Sequence, residues 1–154
     1  MRSIQAYQEL FSTHLQSMAL VKEPLRLYDP ISYILKLGGK RMRPVLALMA
    51  CDAMGKNPSS ALSVATAVEL FHNFTLLHDD IMDEASLRRG QQTVHQKWDV
   101  NTGILSGDAL LVIAYQQLNQ YEDTLFSQLT KLLSETALLV LSLIHISEPT
   151  RPSQ

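Results

Sequence analysis

ELFHNFTLLHDDIMDEASLRRG, residues Glu69 to Gly90, decides how the rest of the chain is read. Asp79, Asp80 and Asp83 crowd into one short segment, and Arg88 and Arg89 follow directly. An α-helix advances about 100° per residue, so the offsets place His72, Leu76, Asp79 and Asp83 on one narrow stripe. Asp80 lies roughly 100° around from Asp79 and can assist only from the side. Leu70, Phe74, Leu77 and Ile81 are left to pack against neighbouring helices. Carboxylates at i and i+4 repel one another on a bare helix. A helix C-terminus aggravates this, because its dipole disfavours negative charge. A hard divalent cation relieves both costs. Mg²⁺ keeps several waters and binds through one or two carboxylates plus substrate phosphates. The plain alternative is a solvated acidic helix end. Its neighbours argue against it: a histidine on the same stripe, two arginines beyond, and a basic segment upstream.

That basic segment is GGKRMRP, Gly38 to Pro44. Glycines before a helix start let backbone N–H groups approach an anion. Lys40 and Arg43 are spaced i, i+3 and can meet one ligand, Arg43 in bidentate fashion and Lys40 as a point charge. Basic residues at a helix start gain nothing from the dipole, so a solvated basic helix start is the competing reading. Arg88 and Arg89 have one too, as partners of Glu84 or caps of the preceding helix. Taken together, the charges suggest two anion sites, one bridged by metal and one held by cations.

Outward from these stretches the periodicity is helical. Ile31, Ile34 and Leu35 repeat at i, i+3, i+4. After Gly38-Gly39, Pro44 suits the first turn of a helix to about Met54, which Gly55, Asn57 and Pro58 stop. The next helix runs from Ser59 or Ser60 to Asp83 or Glu84. A loop is expected at Arg88–Gly90, a helix from about Val94 covering Trp98, and a connector flanked by Gly103 and Gly107. Asp108 would then cap a helix to about Tyr121, and Asp123 or Thr124 would cap the last one. His78 and His95 receive no role. Strand signals are weak, and Asn-Gly and Asp-Gly turns are missing. The chain reads as all-α.

The 154 residues, 46% hydrophobic and 18% charged, suit one packed domain. The net charge of −2 gives no reason to expect nucleic acid. The single cysteine, Cys51, rules out an internal disulfide framework and fits a reducing cytoplasm. MRSIQAYQEL lacks the apolar region of a signal peptide. The apolar run near Thr136–Ile146 is too short to span a bilayer. A cytoplasmic protein without a membrane span is expected.

GGKRMRP, ELFHNFTLLHDDIMDEASLRRG and the later ILSGDALL together resemble the trans-isoprenyl diphosphate synthases, or polyprenyl synthetases, over residues 1–140. The resemblance implies an isoprenoid-synthase-type all-α bundle around a deep cavity, represented here by its N-terminal half, and a homodimer at full length. It implies Mg²⁺-dependent head-to-tail joining of isopentenyl diphosphate to an allylic diphosphate. Asp79 and Asp83 then correspond to metal ligands and Asp80 to a supporting carboxylate. Arg88 corresponds to an allylic-diphosphate contact, and Lys40, Arg43, His72 and Arg89 to the isopentenyl diphosphate site. Phe74 and Thr75, five and four residues before Asp79, correspond to the floor of the elongation cavity. A bulky Phe74 there implies a C15 or C20 product.

The second aspartate-rich motif of that family is not present. LSLIHISEPTRPSQ, residues 141–154, matches no expected continuation and is similar to translated adapter sequence. It is read as a non-native tail, in which Pro149 and Pro152 stop any helix. On that reading the 154-residue chain is inactive alone and exposes apolar faces. One alternative is a non-catalytic diphosphate-binding subunit of a heteromeric synthase. Another is a terpene cyclase, against which Lys40 and Arg43 argue, since a cyclase holds no second diphosphate.

Overall fold

The computed structural model describes residues 2–20 and 22–147. The described residues are mostly helical, with one minimal hairpin. The chain divides into two compact units, residues 1–117 and 118–154.

In the first unit, α1 (Ile4–Ser17) begins where the Ser3 hydroxyl accepts from the Ala6 N–H, satisfying one of the donors that a helix start leaves open. Next come α2 (Leu25–Lys36), α3 (Met42–Ala53), a 3₁₀ turn at Pro58–Ala61 and α4 (Leu62–Met82). After α4 the chain forms β1 (Leu87–Arg88) and β2 (Gln91–Gln92), then α5 (Val94–Lys97) and α6 (Val100–Gln117). Helix α4 is the hub, packing against α6 and α3, while α2 packs on α6 and α1 contacts both α3 and α4. Tyr7 and Phe11 of α1, which carried no expectation from sequence, are fully buried with Val45 and Leu48 of α3 and Ala65 of α4. The Tyr7 hydroxyl donates to the Asp52 carboxylate, tying α1 to the end of α3.

The expected boundaries of α3 and α4 hold to within a few residues. Three expectations about this unit fail. First, Gly103 and Gly107 flank no connector, because α6 runs unbroken through both. They are the points where α4 comes close: a Cβ on Gly103 would lie 3.0 Å from the Ile81 Cδ1, and one on Gly107 only 2.4 Å from the His78 Cε1. Second, Asp108 caps nothing, since it lies in the interior of α6. Asp99 takes that place: its carboxylate accepts from the Thr102 N–H at 2.8 Å and from the Thr102 hydroxyl at 2.9 Å. The Thr102 N–H first, and then the Arg26 guanidinium at 2.7 Å, hold its carboxyl down to about 2. Third, Arg88–Gly90 is not simply a loop.

Leu87 pairs with Gln92 and Arg88 with Gln91, so Arg89-Gly90 is a two-residue hairpin turn. Both turn residues have positive φ, 53° and 76°, as a mirror-image turn requires. Asn or Asp normally fills the first position; here an arginine does, at a cost of about 1–2 kcal/mol. Buried Thr93 closes the hairpin's base, its N–H on the Ser86 carbonyl at 3.1 Å and its hydroxyl on the Ala85 carbonyl at 2.7 Å. Tyr33 of α2 donates its hydroxyl to the Gln92 carbonyl at 2.8 Å.

The second unit contains a 3₁₀ turn at Leu118–Gln120 and α7 (Asp123–Ser147). Its cap is neither Asp123 nor Thr124 but Glu122, whose carboxylate accepts from the N–H groups of Thr124 at 3.1 Å and Leu125 at 2.8 Å. The expected domain boundary at Val140 falls inside α7, which continues to Ser147. The prolines expected to end that segment, Pro149 and Pro152, lie outside the described residues. No described helix is long and apolar enough to cross a membrane.

The glycine contact gives a direct test of the α4–α6 approach. The His78 ring lies beside the Phe74 ring, with centroids 4.7 Å apart, and Nδ1 is 3.1 Å from the Phe74 carbonyl. Gly107→Ala should therefore destabilise by about 1 kcal/mol despite the better helix propensity of alanine. That lowers the melting temperature by about 3 °C. Adding His78→Ala should recover most of the loss in thermal denaturation.

Candidate active site

The acid cluster occupies the last turns of α4. Asp80 is buried, its side chain 4% exposed. The Arg88 guanidinium engages both its oxygens, Nε donating to Oδ2 and Nη2 to Oδ1, each at 2.8 Å. The two nitrogens of one edge of the fork meet the two oxygens of one carboxylate, the strongest ion-pair geometry available to side chains. Asp80, expected to assist from the side, is thus an anchor for the hairpin. Arg88 faces Asp80 rather than Glu84 and keeps Nη1 outside these two bonds.

Asp79 is half-buried and Asp83, the residue that closes α4, is exposed. Burial first, and then the charge of Asp83, push the Asp79 carboxyl above the ordinary carboxylate range, against the opposing pull of Arg88. This raised value also fixes the pH dependence. The protonated form is favoured by folding, so the stability Asp79 contributes is present below pH 3.8 and is lost as pH rises through the raised value. The repulsion between the two carboxylates is a cost that a cation would remove.

The described residues contain no cluster of three or more His, Cys, Asp or Glu side chains fit to hold a metal alone. Two aspartates one turn apart, one of them raised by burial and by its neighbour, nevertheless suit Mg²⁺. That ion is content with one or two protein carboxylates when water and phosphate complete its shell.

The basic groups converge from three elements. Arg43, in the first turn of α3, directs Nη1 to within 3.3 Å of His72 Nε2 on α4. An arginine can only donate, so His72 accepts at Nε2 and is neutral there. Its imidazole pKa is lowered, first by burial and then by Arg43, and Arg88 and Arg89 add to the effect. All three arginines therefore act on His72 as one positive neighbourhood. Arg89 lies against the other basic segment: a Cβ on Gly39 would be 2.7 Å from its Nη2 and 2.8 Å from its Nη1. Only glycine, here with φ of 143°, allows that approach. Lys40 is the next residue and is exposed, its carbonyl accepting from Gln8 Nε2 at 3.1 Å.

Phe74 and Thr75 are both buried. Thr75 is one turn before Asp79 and about 40° from it around the helix, with its hydroxyl on the His72 carbonyl at 2.8 Å. Phe74 is turned about 140° from Asp79 and packs with Phe71 and His78, at centroid distances of 5.6 and 4.7 Å. His78, which received no role from sequence, is therefore the ring that fills the space between Phe74 and α6, with Nε2 3.4 Å from Asp108. A cavity of about 580 Å³ adjoins the Gly38-Gly39 loop, between α1, α2 and Arg41, and contains none of the acid cluster.

Sequence reasoning also passed over Arg41. Its guanidinium bonds Glu69, a buried carboxylate of α4. The available signal was Glu69 itself, a charge amid ATAVELF, four residues before an asparagine that can share its burial.

The site is thus an α-helical unit that sets aspartates at the end of one helix near arginines from a glycine-rich helix start and a hairpin. The polyprenyl synthetase family model matches residues 24–142, and the chain belongs to that family. The chain is 47% identical over 103 residues to a geranylgeranyl diphosphate synthase of Methanosarcina mazei, covering 67% of this chain and 32% of the relative. A geranylgeranyl pyrophosphate synthase of Geoglobus acetivorans is 42% identical over 111 residues, 72% of this chain and 35% of that protein. Among solved structures, one geranylgeranyl pyrophosphate synthase superposes on all of this chain and 48% of its own, with a TM-score of 0.94 and 49% identity. The synthetase of Pyrococcus horikoshii covers 87% of this chain and 42% of its own, at TM-score 0.81 and 34% identity. The chain thus spans about a third of the length of these curated relatives and about half of the first solved chain. The fold is that of the isoprenoid synthases.

Asp79→Asn removes the carboxylate repulsion and should raise the melting temperature without divalent cation by about 2 °C. The same change should abolish stabilisation by added Mg²⁺. Thermal melts with and without Mg²⁺ check both halves.

Proposed function

We propose that these residues form the two diphosphate sites of a Mg²⁺-dependent trans-prenyltransferase. It condenses isopentenyl diphosphate with an allylic diphosphate to give a short-chain product, C20 by preference over C15. The observation that carries the reading is the division of charge along α4. Asp79 and Asp83 close the helix, while two turns earlier His72 meets Arg43 at 3.3 Å, with Arg89 seated on Gly39. The C20 preference follows the relatives, which are named as geranylgeranyl diphosphate synthases. Those names also disfavour the reading of a non-catalytic subunit.

Asp79 and Asp83 would hold Mg²⁺ together with the allylic diphosphate. The bound ion supplies Lewis-acid neutralisation of the charge that develops on the departing diphosphate. Arg88, fixed by Asp80, would offer Nη1 to the same group. Lys40, Arg43 and Arg89 would hold the second diphosphate, and neutral His72 keeps Arg43 extended towards it. The allylic C–O bond breaks and diphosphate leaves. The isopentenyl double bond then supplies the electrons of the new C–C bond, and a proton is lost from carbon. Phe71, Phe74 and Leu77 contribute an apolar wall that keeps water from the cation. A homodimer and a cytoplasmic location belong to the same reading. The exposed apolar side chains of α6, Leu105 and Val112, 59% and 57% exposed, support an association.

Two results test this. Arg43→Ala should weaken isopentenyl diphosphate binding by about tenfold or more in calorimetry, with unchanged circular dichroism; equal affinity contradicts the reading. Phe74→Ala in an active prenyltransferase carrying this segment should shift the product to longer chains by chromatography. An unchanged distribution removes Phe74 from the cavity floor.

A further inference from the structure

The basic segment between α2 and α3 holds three cations with different surroundings. Lys40 and Arg43 are exposed, whereas the Arg41 side chain is only 11% exposed. Arg41 also has φ of 49°, a conformation an arginine does not adopt by preference. Its side chain supplies the restraint. Nη1 donates to Glu69 Oε1 and Nη2 to the Leu35 carbonyl, joining α4, the end of α2 and the start of α3. Glu69 and Asn73 are themselves buried. Asn73 Nδ2 lies 3.1 Å from the same Glu69 Oε1 and 2.8 Å from the Glu69 carbonyl. A buried ion pair persists only when its remaining valences are met, and Asn73 meets one of them.

The consequence falls on the residues either side. With Arg41 turned inward, its neighbours Lys40 and Arg43 are left facing solvent. Arg43 meets His72, and His72 lies on α4 between Glu69 and Asn73. One turn of α4 therefore holds this segment from inside through Arg41 and from outside through Arg43. The same loop sets Gly39 beneath the Arg89 guanidinium, so the register of Arg89 depends on it too.

We propose that Arg41, Glu69 and Asn73 are positioning residues for the cation-held diphosphate site: Arg41 does not touch the ligand, and the buried Glu69–Asn73 pair locks the loop so that Lys40, Arg43 and Arg89 converge on it. This rests on the diphosphate reading above and assigns a role which that reading leaves open. A purely structural role would loosen the whole unit. A positioning role acts at one site and spares the other.

The experiment is calorimetry with inorganic pyrophosphate and, separately, with Mg²⁺, on the full chain. Glu69→Gln keeps the side chain's size and should weaken pyrophosphate binding by about tenfold, with Mg²⁺ binding at Asp79 and Asp83 within about twofold of wild type. Arg41→Gln combined with Glu69→Gln should bind no worse than Glu69→Gln alone, since the two act as one unit. Should Glu69→Gln fail to fold, Asn73→Ala decides, with an expected weakening of about threefold. Wild-type pyrophosphate affinity in Glu69→Gln or, failing that variant, in Asn73→Ala overturns the proposal, as does equal loss of Mg²⁺ binding. Arg43→Ala in parallel separates the two readings. If Arg43→Ala also binds as wild type, the diphosphate site itself is misplaced. If it binds weakly while Glu69→Gln binds normally, only the positioning role fails.

Discussion

The bidentate pair between Asp80 and Arg88 is the constraint on which the candidate site depends. It joins the last turn of α4 to a hairpin too short to hold itself together, with one pair of two-residue strands. An isolated hairpin of that size is not stable in water. Asp80 is nearly buried, so removing Arg88 strands its charge, at about 3–5 kcal/mol. With the hairpin fixed to α4, Arg89 at its tip reaches Gly39, thereby bringing the second basic element to the glycine-rich loop. The Thr93 clasp at the hairpin's base and the Tyr33 bond to Gln92 reinforce the same placement from outside.

Residues of one type therefore do different work according to burial. Of the three aspartates, Asp80 is buried and paired, while Asp79 and Asp83 repel each other at the helix end, where a cation is the natural relief. Of the arginines, Arg41 and Arg88 lock backbone elements, and Arg43 and Arg89 stand outward. Arg41 and Arg89 both occupy left-handed backbone positions, and Asp79 lies beside the like charge of Asp83. Strain of this kind collects where a ligand is meant to compensate it.

How much of this was legible depends on whether the signal was local. The stripe of His72, Asp79 and Asp83 follows from 3.6-residue periodicity alone. The helix start around Pro44 follows from proline chemistry. What failed needed a neighbour in space. Gly103 and Gly107 read as breakers because glycine usually is one; inside α6 they exist to let Ile81 and His78 approach. Asp108 resembled a cap until Asp99, with its own threonine three residues on, was seen to fill that role. Arg89-Gly90 does not read as a hairpin turn because arginine seldom takes positive φ, and the contacts that hold it there, the Asp80–Arg88 pair foremost, come from residues outside the turn. The basic run KRMR gave no sign that its second member faces inward. Glu69 offered the only clue, and reading it required knowing that α3 starts opposite.

The central claim is that one diphosphate is bound through metal and the other through cations alone. Calorimetric titration of isopentenyl diphosphate and of an unreactive thio-linked allylic diphosphate, each with and without Mg²⁺, tests it most directly. The account predicts that the allylic analogue binds only with Mg²⁺ and that isopentenyl diphosphate binds equally well in its absence. Equal dependence of both ligands on Mg²⁺, or of neither, would contradict it.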